Sequence, residues 1–209
     1  MGYHAGSREL QDRFGTRALA DRLDDVKVHG TFSDSDRAFI EARDMVFLAT
    51  ADEHGHPQCS YKGGDPGFIR VVGERQLAIP NYDGNGMYLS WGNVNVNPHV
   101  GLLFIDFEAQ RRMRVNGTAS INPGDNLLGS YPEAQFVVRI TATEIFPNCP
   151  RYIHKMELVE RSRFVPRAGV ETPEPGWKSA DWAKDVVPGQ GGLSPTSGAG
   201  LRGQAPESG

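Results

Sequence analysis

The sequence predicts a mainly β protein, an antiparallel barrel or sandwich with flanking helices. Three observations predict it. About six short apolar or alternating segments follow one another between residues 45 and 145, joined by Gly, Pro and Asn turns. Gly 25 and Pro 14 are high counts for a helical chain of 209 residues. The stretch Arg111 to Ile121 alternates with period two, Met113, Val115, Ala119 and Ile121 against Arg112, Arg114, Asn116, Thr118 and Ser120.

In chain order, Leu10, Phe14, Ala18, Leu19 and Leu23 recur at helical spacing and predict one helix from Ser7 to Val26, with Ser7 as N-cap. Its apolar stripe needs a partner, either the barrel or a second subunit. A second helix starts in the Ser33-Asp34-Ser35-Asp36 cluster and runs to about Ala42. Met45 to Thr50 and Pro57 to Tyr61 form a hairpin about Asp52 to His56. Phe68 to Val72 and Gln76 to Pro80 form another about Gly73-Glu74-Arg75. Val100 to Phe107 is apolar almost throughout, the pattern of a strand buried on both faces, and Phe136 to Ile145 is a further strand. Thr172 to Gly176 reads as a linker, Trp177 to Val187 as a short docking helix, and Gly189 to Gly209 as disordered. The expected organisation is an N-terminal extension over 1–31, a barrel domain over 32–170, a docking segment over 171–188 and a tail over 189–209.

A net charge of −4 offers no electrostatic footprint for nucleic acid. No apolar run approaches the roughly 20 residues that cross a bilayer, and the start lacks the pattern of a signal peptide. Two cysteines, Cys59 and Cys149, are too few for a disulfide framework. The expectation is a cytoplasmic protein with reduced thiols, with neither nucleic acid nor membrane among its partners.

Three clusters carry candidate chemistry. In Ser60 to Arg70, glycines permit close approach to a flat ligand, and Lys62 and Arg70 offer charge to a phosphate. Alone, it is equally an ordinary Gly/Pro loop with solvated basic residues. In Pro80 to Asn93, a helix starting near Tyr88 would aim backbone N–H groups at an anion, with Ser90 and Asn93 as added donors. A long hairpin loop built on Asp83-Gly84-Asn85-Gly86 explains it as well. Arg112 and Arg114 share one strand face, where an anion or carboxylates would relieve their repulsion; a solvated exterior is the commoner use of such a pair. His54 and His56 flank Gly55 at a hairpin tip without the further partners a metal needs, and Cys59 on its strand reads as packed.

These clusters stand in an order that resembles a known family. Ala49-Thr50 with Gly55 and Pro57, Ser60 with Lys62-Gly63-Gly64, and Pro66 to Val71 begin the match. It continues through Gly84-Asn85, Ser90, Asn93, Asn97-Pro98 to Phe104 and Arg114 to Gly117, and ends at Phe146 to Ile153. Over roughly residues 32 to 155 the chain resembles the pyridoxamine 5′-phosphate oxidase-like, FMN-binding split β-barrel family. The resemblance implies a split barrel and a homodimer with FMN at the subunit interface. It implies cofactor contacts from Ser60, Tyr61 and Lys62, from Ile79, Pro80 and Asn81, and from Tyr88, Leu89, Ser90 and Asn93. Arg112 and Arg114 would contribute from the partner subunit, and Arg70 is a further source of charge. It also implies an FMN-dependent oxidoreductase acting on a small molecule. On the same fold, an F420-dependent reductase and a non-catalytic flavin- or haem-binding protein are the alternatives. Arg151, Tyr152 and His154 are the candidate residues on the substrate side. Relatives often carry Arg just before the residue matching Asn93; here Gly92 stands there, which leaves the phosphate charge to Lys62, Arg70 or Arg112. The distal His and Arg pattern of pyridoxamine phosphate oxidases proper is missing, so the family name does not give the activity.

Overall fold

The computed structural model describes residues 2–188. The expected tail over 189–209 lies outside them. One compact unit runs to Thr172 and a second begins at Pro173.

The first unit is built on a seven-stranded antiparallel sheet. Its strands are β1 (Met45–Ala51), β2 (Pro57–Gly63), β3 (Arg70–Val71), β4 (Gln76–Asn81), β5 (His99–Asp106), β6 (Arg111–Asn122) and β7 (Phe136–Asn148). They run in the order β2-β1-β5-β6-β7-β4-β3, so β2 and β3 are the two edges of a split barrel. The helices are α1 (Ala5–Arg13), α2 (Arg17–Lys27), α3 (Asp34–Glu41) and α4 (Leu89–Val96).

Alternation builds the core. Val46 and Leu48 of β1, Leu102 and Phe104 of β5, Met113 and Val115 of β6, and Ile140, Ala142 and Ile145 of β7 are all buried in one cluster. Trp91 and Val94 of α4 join it. The long β6–β7 pairing shifts register at Asn116/Gly117. Only glycine fits there, because a Cβ on Gly117 would stand 2.2 Å from the Thr141 carbonyl oxygen.

Several elements differ from expectation. The single helix Ser7 to Val26 is two helices. Gly15, at φ 65°, turns the chain between them, and His4 rather than Ser7 caps the first. The helical period continues across the break, and one glycine does not interrupt it in the sequence. The stripe is exposed on this chain, with Phe14 70% and Leu19 59% accessible. The strand expected over Phe68 to Val72 shrinks to Arg70–Val71, because Phe68 is drawn into the core cluster. β5 is buried on one face only; Gly101, Leu103 and Ile105 are half-buried on the other. That outer face continues through Phe47 of β1 and Arg114 of β6, both registered with Leu103. Cys59 is exposed, not packed, since it falls on the outer face of edge strand β2.

In the second unit, the helix expected over Trp177 to Val187 is only a 3₁₀ turn at Gly176–Ser179 followed by turns. The Trp177 and Trp182 rings stack there, with centroids 5.9 Å apart.

Candidate functional site

The ends of β2 and β4 enclose a cleft of about 480 Å³, well within the range of small-molecule sites. Period two along β2 sends Ser60 and Lys62 to the side of Leu48 and Val46, and Tyr61 to the side of Phe47. The Tyr61 ring meets Phe47 edge-on at 6.1 Å. Lys62 lies 4.8 Å over the Trp91 ring, which ties the cleft to the first turn of α4. Burial pushes the Lys62 pKa down, and Asp44, Asp65, Asp83 and Glu160 line the same cleft.

The rim between β4 and α4 is held by side-chain hydrogen bonds. The Trp91 indole donates to Asn81 Oδ1 at 2.6 Å. The Asn81 amide donates to Gln135 Oε1 at 2.8 Å, and the Tyr88 hydroxyl donates to the same oxygen at 3.0 Å. These bonds hold Tyr88 left-handed at φ 48° at the α4 N-cap, a conformation that costs a bulky residue about 1–3 kcal/mol. Asn93 donates to Thr50 Oγ1 at 3.1 Å and so fastens α4 to β1.

After β7 the chain returns across the cleft. Leu158, Glu160, Arg161, Ser162, Phe164 and Val165 form one wall of it. This strap is latched on Asp65. Arg167 grips both carboxylate oxygens at 2.7 and 3.0 Å, and Arg161 adds a bond at 3.2 Å. The Arg167 hydrogen bond is the main cause of a lowered Asp65 pKa. The latch therefore holds above the ordinary carboxylate range and loosens as pH falls through the depressed value. Arg167→Ala is expected to expose the strap, seen as faster limited proteolysis between residues 150 and 170, with unchanged melting behaviour of the barrel.

The structure brings together four of the expected cofactor residues, Tyr61, Lys62, Pro80 and Asn81, in the cleft. Ile79 is 1% exposed and faces the core. Ser90 is buried within α4, while Tyr88 and Leu89 are half exposed at its start. Arg70 does not line the cleft. Its guanidinium stacks 4.0 Å over Tyr131 and donates to Ser130 Oγ at 2.6 Å. Arg114 is exposed on the outer sheet face, and Arg112 lines a different cavity. Arg151, Tyr152 and His154 are exposed beyond β7 and line neither cavity. Arg151 Nε donates to Cys149 Sγ at 3.0 Å, and the amide and guanidinium of Arg151 hold that thiol below its usual pKa.

Gln135, Asp65 and the strap were not singled out in the sequence. Asp65 and its arginines are 96 and 102 residues apart, so no local pattern joins them. Gln135 precedes a strand without any motif about it. Among the described residues, no group of three or more His, Cys, Asp or Glu is placed to hold a metal, and no helix is long and apolar enough to cross a membrane.

Residues 32–161 match the family model for pyridoxamine 5′-phosphate oxidase. No curated protein matches the chain. Similar solved structures include a candidate pyridoxamine 5′-phosphate oxidase from Lactobacillus delbrueckii, 23% identical, with a TM-score of 0.47, covering 58% of this chain and 99% of that one. HutZ, the haem storage protein from Vibrio cholerae, is 18% identical with a TM-score of 0.42, covering 56% of this chain and 94% of that one. An FMN-binding protein from Syntrophomonas wolfei is 10% identical with a TM-score of 0.42, covering 68% and 96%.

Proposed function

Since this chain belongs to the pyridoxamine 5′-phosphate oxidase family, we propose that it binds FMN in the β2–β4 cleft and is an FMN-dependent oxidoreductase for a small molecule. The observation that carries the reading is Lys62, a cation held partly out of water at the cleft, over the Trp91 ring. An anionic group of the ligand restores what burial takes from it.

The residues present fit the group. The cleft volume suits a flavin, and its walls combine the flat Tyr61 ring, the Pro80-Asn81 backbone and the Gly63-Gly64 turn. Phosphate charge on this chain rests on Lys62, since Arg70 is held by Ser130 and Tyr131, Arg161 is bonded to Asp65, and Gly92 carries none. Bound FMN supplies the electron chemistry. Lys62 binds the phosphate. Asn81, itself fixed by Trp91 and Gln135, orients polar groups at the rim. The strap excludes water from one side.

In this reading the protein works as a homodimer. The half-exposed Phe47, Leu103 and Ile105 give the outer sheet face an apolar surface for a second copy. Arg114 stands among them and is exposed; in this reading it contacts the flavin of the partner subunit. Arg151, Tyr152 and His154 serve the substrate side by the same route, across the interface.

An absorbance spectrum of the purified protein, with mass spectrometry of the released ligand, tests the cofactor. The expected result is a flavin spectrum and the mass of FMN. A deazaflavin or haem mass, or a colourless protein that takes up no added FMN, overturns it.

A further inference from the structure

Lys62 and Trp91 meet behind the wall of the cleft, and the way the indole is held decides what it offers the lysine. Trp91 is 3% exposed and belongs to the core cluster. The Phe136 ring packs against it at 78°, with centroids 6.4 Å apart. Its N–H donates to Asn81 Oδ1 at 2.6 Å, and the Asn81 amide donates in turn to Gln135 Oε1 at 2.8 Å. The core and the end of β4 therefore fix the ring before any ligand arrives. The Lys62 ammonium lies over it, 4.8 Å from the centroid, inside the reach of about 6 Å for attraction between a cation and an aromatic face.

The other charged and titratable groups of the cleft are Asp44, Asp65, Asp83, Glu160, Arg161, Tyr61 and Tyr82. Asp65 is taken up by Arg167 and Arg161. A carboxylate bonded to the ammonium would accept its N–H groups and repel an incoming anion. An aromatic face attracts the same charge through its quadrupole and carries no net charge of its own. The bond from the indole N–H to Asn81 polarises the ring in the favourable sense. Burial disfavours the ammonium form of Lys62, and the indole face opposes that loss without placing an anion in the ligand's way.

We propose that Trp91 is the positioning residue for Lys62: its indole face holds the ammonium group charged at the cleft wall and leaves the N–H donors open to an oxygen anion of the ligand. The inference rests on the cleft as the ligand site, where FMN phosphate is that anion. Trp91 does not line the cleft and acts through Lys62.

The test reads Lys62 directly, by carbon NMR of the FMN-free full chain labelled with [13C]lysine, the Lys62 signal being the one lost in Lys62→Met. Replacing Trp91 by another residue would disturb the core, so position 91 instead carries mono-, di- and trifluorotryptophan, which keep the shape and drain the face of charge. In the parent, the Lys62 Cε protons are expected upfield of those of the other lysines, the ring-current mark of a group over an indole. The Lys62 titration midpoint should fall stepwise with fluorination, by about 0.3 pH unit or more in total. The alkaline limb of the FMN preference over riboflavin should move to lower pH by the same amount. The proposal is overturned if the Cε protons show no upfield shift or if fluorination leaves the midpoint in place. It is also overturned if the midpoint falls only in Asp44→Asn, Asp83→Asn or Glu160→Gln, because a carboxylate would then hold the charge. A protein that takes up no FMN but shows the upfield shift and the stepwise midpoints leaves this inference standing while the cofactor reading falls.

Discussion

Lys62→Met is expected to weaken FMN binding by about 10- to 100-fold, the range for one lost charge-assisted hydrogen bond. The same change should raise the melting temperature of the FMN-free protein by a few degrees, roughly 2–4 °C for each kcal/mol of relieved desolvation. The two effects share a cause. Burial lowers the Lys62 pKa, so the folded protein pays for holding that ammonium group out of water. Methionine keeps the apolar length of the side chain against Trp91 and removes the charge. The pH dependence has a definite sign. Below the lowered folded pKa the lysine is charged in both states, and its burial destabilises the fold. As pH rises from there to the ordinary lysine value, the folded state sheds its proton first and that destabilisation disappears. FMN affinity falls over the same alkaline window, because the neutral amine no longer attracts phosphate. Fluorescence titration of FMN and thermal melts of both proteins measure these outcomes.

Arg139→Met is expected to destabilise the barrel by about 3–5 kcal/mol, the cost of stranding a buried charge. Arg139 of β7 forks onto Asp125 with bonds of 2.6 and 2.7 Å, and the Asp125 side chain is only 2% exposed. Arg139 is the main cause of the lowered Asp125 pKa. The pair thus contributes stability above the ordinary carboxylate range, lost as pH falls through the depressed value. It pins the loop that carries Tyr131, whose burial pushes its pKa up to about 12 and whose ring receives Arg70. If the stranded carboxylate is the cause, adding Asp125→Ala to Arg139→Met recovers much of the loss. A double variant less stable than Arg139→Met would mean that lost packing, not the charge, dominates. Urea denaturation of the three proteins separates these.

The strands were legible because burial on one face imprints period two, and β6 carries that pattern over nearly its whole length. The nearly continuous apolar run misled at β5. Its outer face is apolar without being core, and a sequence does not tell an apolar face awaiting a partner from one already buried. Gly15 is invisible for a related reason, since the stripe from Leu10 to Leu23 keeps helical spacing through the break. In the site, Lys62 and Arg70 were equivalent as basic residues beside glycines. What separates them is Ser130 and Tyr131, 60 residues further on, which occupy the guanidinium of one and leave the ammonium of the other. Arg112 and Arg114 likewise share a strand face, and their spacing was legible. Their different fates were not, because Arg112 shares its cavity with residues of the distant N-terminal segment.

The central claim is that Lys62 holds the phosphate of a flavin in the β2–β4 cleft. FMN and riboflavin differ only by that phosphate, so titrating both against the parent protein and Lys62→Met isolates the contact. The expected result is a preference of about tenfold or more for FMN over riboflavin in the parent, abolished in the variant. An equal preference for FMN in both proteins would contradict the claim and place the phosphate elsewhere.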